Sequence, residues 1–139
     1  MDPANNALTE QHGGNHYKGL AIQPIELSMA NRYDACTHSA IKYLSRHGDK
    51  GGREDLNKTG HFCALRLATM PMSHPAAIQS ISIKHYIEQN GIALEEARII
   101  TELDQWARQL FGLPDIAVCN HITQRISALA DLRYPEEDH

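Results

Sequence analysis

From residue 35 onward, apolar side chains recur at intervals of three and four residues, in runs that stop at glycine or proline. This punctuation confines the chain to helices that must pack together to bury one stripe each. Cys36, Ala40, Ile41 and Leu44 predict a helix from about Ala35 to His47, closed by Gly48. A second helix, Arg53 to Thr69, carries Leu56, Cys63 and Leu67, with Phe62, Leu65 and Met70 beside them, and Pro71 ends it. The two form a hairpin across a glycine-rich loop. Ile78, Ile81, Ile83 and Ile87 predict a helix from Ala76 to Asn90, although the β-branched run from Ile81 to Ile83 with Tyr86 also suits a short strand. Ile99, Leu103, Trp106 and Leu110 form the core stripe of a helix from Leu94 to Leu110. A last helix begins at Pro114, where Ile116, Cys119, Ile122, Ile126 and Leu129 stand at nearly heptad spacing. They either seal the core or pair with another subunit. Upstream, Pro24 suits the first turn of a short helix to Asn31. The expected fold is mainly α: a compact helical bundle with a basic helical hairpin and a polar N-terminal loop.

An apolar fraction of 42% and a charged fraction of 22% are compatible with one folded core in 139 residues. The expected organisation is a flexible tail at 1–12, a single helical domain at 13–134 and a tail at 135–139. The domain's parts at 13–68 and 71–134 differ in character. No basic n-region with an apolar core opens the chain and no window approaches the length of a membrane span, which predicts a cytoplasmic protein without membrane contact. Cys36, Cys63 and Cys119 are odd in number and form no C-x-x-C pair, so each is expected to be a small buried residue.

Charge is uneven. Residues 1–70 hold eight Lys/Arg against seven Asp/Glu, and residues 71–139 hold five against ten. A net charge of −4 argues against a stable nucleic-acid complex and favours a small anionic ligand. Five cations and two histidines fall between His38 and Lys58. His38, Lys42 and Arg46 stand at i, i+4 and i+8 on one helix face. Lys50 lies among the glycines of the following loop, and Lys58 sits beyond Glu54 and Asp55. Glycine-loop amides and the positive end of the next helix are the materials of an anion site. The plain alternative is a charged, solvated hairpin face.

The blocks His16-Tyr17-Lys18, Gln23 to Glu26, Ala40 to Arg46, Lys50 to Gly52 and Asp55 to Lys58 occur in an order that resembles a family of small phage proteins, catalogued as a domain of unknown function. That family includes the nucleotide kinase of the T-odd coliphages, which has no P-loop. The resemblance covers roughly residues 13 to 68. His38-Ser39 stands where Gly-Asn is common in the family, and His61-Phe62-Cys63 replaces an aromatic-Tyr-Leu run.

The resemblance implies transfer of a phosphoryl group from ATP or another nucleoside triphosphate to a deoxynucleoside monophosphate. No G-x-x-x-x-G-K-[ST] is present, so the mechanism would not be of the Walker type. Such a reaction needs positioning and charge stabilisation. Lys42, Arg46, Lys50 and Lys58 would supply the charge. His16, Tyr17, Lys18, Tyr43, Gly51, Gly52 and Arg53 would contact the nucleotide, with Tyr17 or Tyr43 stacking on a base. Asp55 is the first choice for Mg²⁺, ahead of Glu54 and Glu26. Two alternatives stand beside this reading. One is a non-catalytic nucleotide-binding or sponge protein. The other is an Mg²⁺-dependent nucleotide pyrophosphatase built on Glu95, Glu96, Glu102 and Asp104. A homo-oligomer, with a site shared between subunits, is the expected assembly.

Overall fold

A computed structural model describes residues 20–135. Six α-helices and one 3-10 turn occur among the described residues, with no strand: α1 Pro24–Asn31, α2 Ala35–Arg46, α3 Arg53–Thr69, the 3-10 turn Met70–Met72, α4 Ile83–Asn90, α5 Leu94–Ala107 and α6 Asp115–Arg133. The expectation of a mainly helical fold holds.

Local chemistry sets the boundaries of the first two helices. Pro24 occupies the first turn of α1, and the Gln23 amide donates to Glu26 Oε1 at 3.1 Å. Arg32 ends α1 in the left-handed region at φ 54°. Asp34 then caps α2, accepting from the Thr37 amide and hydroxyl, each at 2.8 Å. The α2–α3 hairpin forms as its spacing predicts, and α3 lies between α2 and α6. Leu27, Ile41, Leu44, Leu56, Tyr86, Ile99, Ile100, Leu103, Trp106 and Ile122 make a single core. The α6 seam turns into that core through Cys119, Ile122, Ile126 and Leu129, while Ile116 stays outside at 61% exposure. Of the three cysteines, Cys63 and Cys119 are buried and Cys36 is half-buried.

Two helices are shorter than their patterns suggest. The helix expected from Ala76 begins at Ile83, because Ser82 caps it by accepting from the His85 amide at 3.0 Å. The preceding backbone is held by a side chain instead. Asn31 accepts from the Ile81 amide at 2.9 Å and donates to the Ile81 carbonyl at 2.8 Å. Asn90 grips Ile22 in the same two-point manner, at 2.9 and 2.8 Å. A backbone satisfied this way gains nothing by coiling. Helix α5 stops at Ala107, and Gln109 adopts φ 61°, which leaves Leu110 67% exposed rather than in the stripe. Trp106 is core as expected, donating from Nε1 to Asp115 at 3.0 Å. Over it lies the guanidinium of Arg66, 4.5 Å from the ring centroid and paired with Asp34 at 3.0 Å.

Candidate functional site: a cation cluster on the α2–α3 hairpin

The hairpin brings three of the expected basic residues to one aromatic ring. Tyr43 on α2 stacks on Phe62 of α3, with ring centroids 5.7 Å apart and planes 10° from parallel. Around the Tyr43 ring centroid stand Arg46 Cζ at 4.5 Å, Lys58 Nζ at 5.1 Å and Lys42 Nζ at 5.4 Å. Lys42 and Lys58 make no ion pair with a carboxylate among the described residues. Three positive charges over one ring repel one another, and the ring's quadrupole offsets only part of that cost. An anion laid across them would offset the rest. Lys50 is exposed on the loop beyond the cluster.

Arg46 has a second engagement. Its Nε and a terminal nitrogen reach both oxygens of Asp55 at 3.0 and 3.1 Å, and Asp55 is buried at 1% exposure. The same carboxylate accepts from the Gly51 amide at 3.0 Å. The neighbouring loop amides also turn inward: Asp49 and Lys50 donate to the Arg46 carbonyl, and Gly52 to the His47 carbonyl. One loop amide does meet an anion, but that anion is the chain's own Asp55, and the other three are taken by backbone carbonyls. Asp55, expected as the Mg²⁺ ligand, is thus enclosed by Arg46 and Gly51. Glycine is required at both loop positions. A Cβ on Gly51 would lie 2.2 Å from the Asp55 carboxyl carbon, and Gly52 sits at φ 56°, ψ −136°.

Arg53, expected at the nucleotide, instead holds the C-terminal end of α6. It donates to the carbonyls of Ala130 and Tyr134 and pairs with Asp131 at 3.2 Å. His16, Tyr17 and Lys18 lie outside the described residues.

Sequence reasoning missed two features. The first is a chain of polar groups under the loop, centred on a buried histidine. His47 is 6% exposed, and its Nδ1 lies 2.8 Å from the Tyr134 hydroxyl while Nε2 lies 2.9 Å from Glu96 Oε2. Glu96 also accepts from Arg133 at 2.9 Å. Burial works against the Glu96 charge, but the hydrogen bonds from Arg133 and His47 outweigh it and hold the carboxyl below its ordinary range. Burial, with Glu96 nearby, raises the Tyr134 phenol. This chain floors a cleft of about 510 Å³ walled by Leu44, Tyr86, Ile92 and Ile100. Nothing in the spacing of His47 links it to residues 49 and 87 positions away.

The second is a smaller cavity of about 180 Å³ between α1 and α2, lined by Gln23, Pro24, Ile25, His38 and Lys42. His38 Nδ1 stands 2.7 Å from the hydroxyl oxygen of the buried Ser28. Burial, and then the charge of Lys42, hold the imidazole below its ordinary 6.5.

The four carboxylates expected of a pyrophosphatase, Glu95, Glu96, Glu102 and Asp104, are each matched by basic residues. Glu95 pairs with Arg133, Glu102 with His121 and Arg125, and Asp104 with Arg108 while accepting from the Tyr33 hydroxyl at 2.5 Å. No group of three His, Cys, Asp or Glu side chains suited to a metal occurs among the described residues. Nor is any described helix long and apolar enough to cross a membrane.

Set against known proteins, residues 11–64 match the model of DUF3310, a family described as being of unknown function. The match ends within α3, so it takes in the cation cluster and the small cavity but none of α4 to α6. No curated protein and no solved structure matches the chain.

Proposed function

We propose that this protein is a nucleotide kinase that binds its substrates on the α2–α3 hairpin and moves a phosphoryl group from a nucleoside triphosphate to a deoxynucleoside monophosphate. The observation that supports this reading is the convergence of Lys42, Arg46 and Lys58 on the Tyr43 ring from two helices. Charge concentrated on a rigid hairpin is what phosphoryl transfer asks of a protein, since catalysis there is mainly positioning and electrostatic stabilisation. Lys42 and Lys58 would take phosphate oxygens, and the exposed Lys50 would close over them. Mg²⁺ would travel with the nucleoside triphosphate, held by its phosphates rather than by Asp55.

One observation favours a second reading, in which the hairpin binds nucleotide without turning it over. Asp55 is committed to Arg46 and Gly51 and is closed to a metal in this arrangement. A single assay separates the two. The protein is incubated with ATP, Mg²⁺ and each of the four deoxynucleoside monophosphates, and the products are resolved by ion-exchange chromatography. Deoxynucleoside diphosphate with matching ADP is the expected result. Nucleotide bound in calorimetry but recovered intact would replace the kinase with a binding protein. Monophosphate and pyrophosphate released from triphosphate would mean a pyrophosphatase.

A further inference from the structure

The cavity between α1 and α2 adjoins the cation cluster through Lys42, which lines the one and approaches the Tyr43 ring of the other. At about 180 Å³ it is smaller than the sites that take whole ligands, and suits a single charged group. Its polar equipment is specific. Lys42 brings a positive charge without a carboxylate partner among the described residues. His38 brings an imidazole whose orientation is set by Ser28 on the facing helix, because the 2.7 Å contact occupies Nδ1. That leaves Nε2 as the ring's remaining polar atom. Ile25 adds one first-turn amide of α1, since Pro24 has no N–H and the Glu26 and Leu27 amides are taken by the Gln23 side chain and carbonyl.

We infer that this cavity is a phosphate-monoester subsite, in which Lys42 neutralises the phosphate and His38 donates a hydrogen bond to it from Nε2. The inference rests on the nucleotide-binding reading only in naming the ligand's source as the acceptor monophosphate. The chemistry itself is recognition of a phosphate dianion.

Among the described residues, the charges that face His38 are few. Lys42 lies on its own helix, with Asp34 one turn earlier bound to Thr37 and Arg66. On α1, Glu26 is turned to the Gln23 amide, and Arg32 stands at the far end. In the empty cavity the imidazole is neutral near pH 7, since burial and Lys42 both oppose its charge. A phosphate dianion beside it reverses the sign of the local field, so binding draws one proton from solvent onto the ring. Ser28 accommodates either form, because its hydroxyl can donate to Nδ1 or accept from Nδ1–H.

Nitrogen-15 spectra of the His38 ring in the unmutated protein, titrated with inorganic phosphate and separately with a deoxynucleoside monophosphate, test this directly. Either ligand should move the His38 resonances toward those of a doubly protonated ring and raise the midpoint of its pH titration. In calorimetry His38→Gln should bind inorganic phosphate about tenfold more weakly and abolish the proton uptake, as expected for loss of one hydrogen bond to a charged group. A His38 signal unmoved by both ligands, or a His38→Gln variant with the parent's affinity and proton uptake, overturns the inference. A response to both ligands in a protein that forms no deoxynucleoside diphosphate upholds the subsite and removes the kinase reading instead.

Discussion

Arg46 and Lys42 sit one turn apart on α2 and both approach Tyr43, yet they answer to different partners. The guanidinium of Arg46 reaches both oxygens of a carboxylate that is 1% exposed, whereas Lys42 lines an open cavity and makes no ion pair among the described residues. Replacing Arg46 by alanine strands Asp55 without its cation, so Arg46→Ala should lower the unfolding free energy by about 3 to 5 kcal/mol. Lys42→Ala should leave stability within about 0.5 kcal/mol of the parent, as surface changes usually do. It should still weaken nucleotide binding by about 1.5 to 3 kcal/mol. Urea unfolding beside calorimetric titration of both variants gives the two numbers. Equal effects of the two substitutions on stability would mean that the Arg46–Asp55 pair carries none of the loop. The sequence shows that these cations share a face and that a glycine loop follows. It does not show which cation is bound internally, because i, i+4 spacing is silent about a partner nine residues away across a turn.

Helix ends are where this fold concentrates its charge. Asp34 caps α2 and ties it to Arg66 of α3, while Glu96 in the first turn of α5 joins His47, just past α2, to Arg133 at the end of α6. Burial opposes both carboxylates. The Thr37 amide and Arg66 outweigh it at Asp34, and Arg133 and His47 do so at Glu96, so both titrate below their ordinary values of 3.8 and 4.5. A depressed carboxylate gives its full stabilisation above the ordinary value and loses it as the pH falls through the folded one. His38 acts in the same direction, since a base held below 6.5 by burial costs stability once the unfolded chain begins to bind that proton. Unfolding free energy should therefore be level near neutral pH, decline gently below 6.5 and drop more steeply below 4.5. Urea melts across this range should show the steep limb flattened in Glu96→Gln and the gentle limb flattened in His38→Gln. Unchanged profiles in both would remove these groups from the acid transition. Some element bounds were legible from caps and breakers in sequence: α3 runs from Arg53 to Thr69 as its pattern predicts. Residues 76–82 deceived the pattern because Asn31, fifty positions upstream, takes both backbone groups of Ile81, and the Ala107 carbonyl takes the Ala76 amide.

At the scale of the molecule, the segment that carries the cation cluster depends on the segment that carries none of it. Helix α3 faces α2 on one side and α6 on the other, and Leu56 and Cys63 on its buried stripe belong to the same core as Ile122, Ile126 and Leu129. The loop between α2 and α3 is held from the same quarter. Tyr134 donates to the His47 carbonyl at 2.9 Å, its ring lies 3.6 Å from where a Cβ on Gly52 would be, and Arg53 reaches back to the last carbonyls of α6. The family match at residues 11–64 thus marks a recurring segment, and the hairpin inside it is left with the faces that pack on α5 and α6 uncovered when those helices are absent. Two helices exposing one core face fall short of the burial that a small domain needs to outweigh its chain entropy. A fragment of residues 1–69 should therefore show weak ellipticity at 222 nm, no cooperative thermal transition and no nucleotide binding, while the full chain melts as one unit. Adding residues 70–139 as a separate polypeptide should restore helicity if the two halves share one core. A fragment that melts cooperatively alone, with the parent's affinity for a deoxynucleoside monophosphate, would mean that α4 to α6 form a separate body and that the hairpin site needs nothing from them.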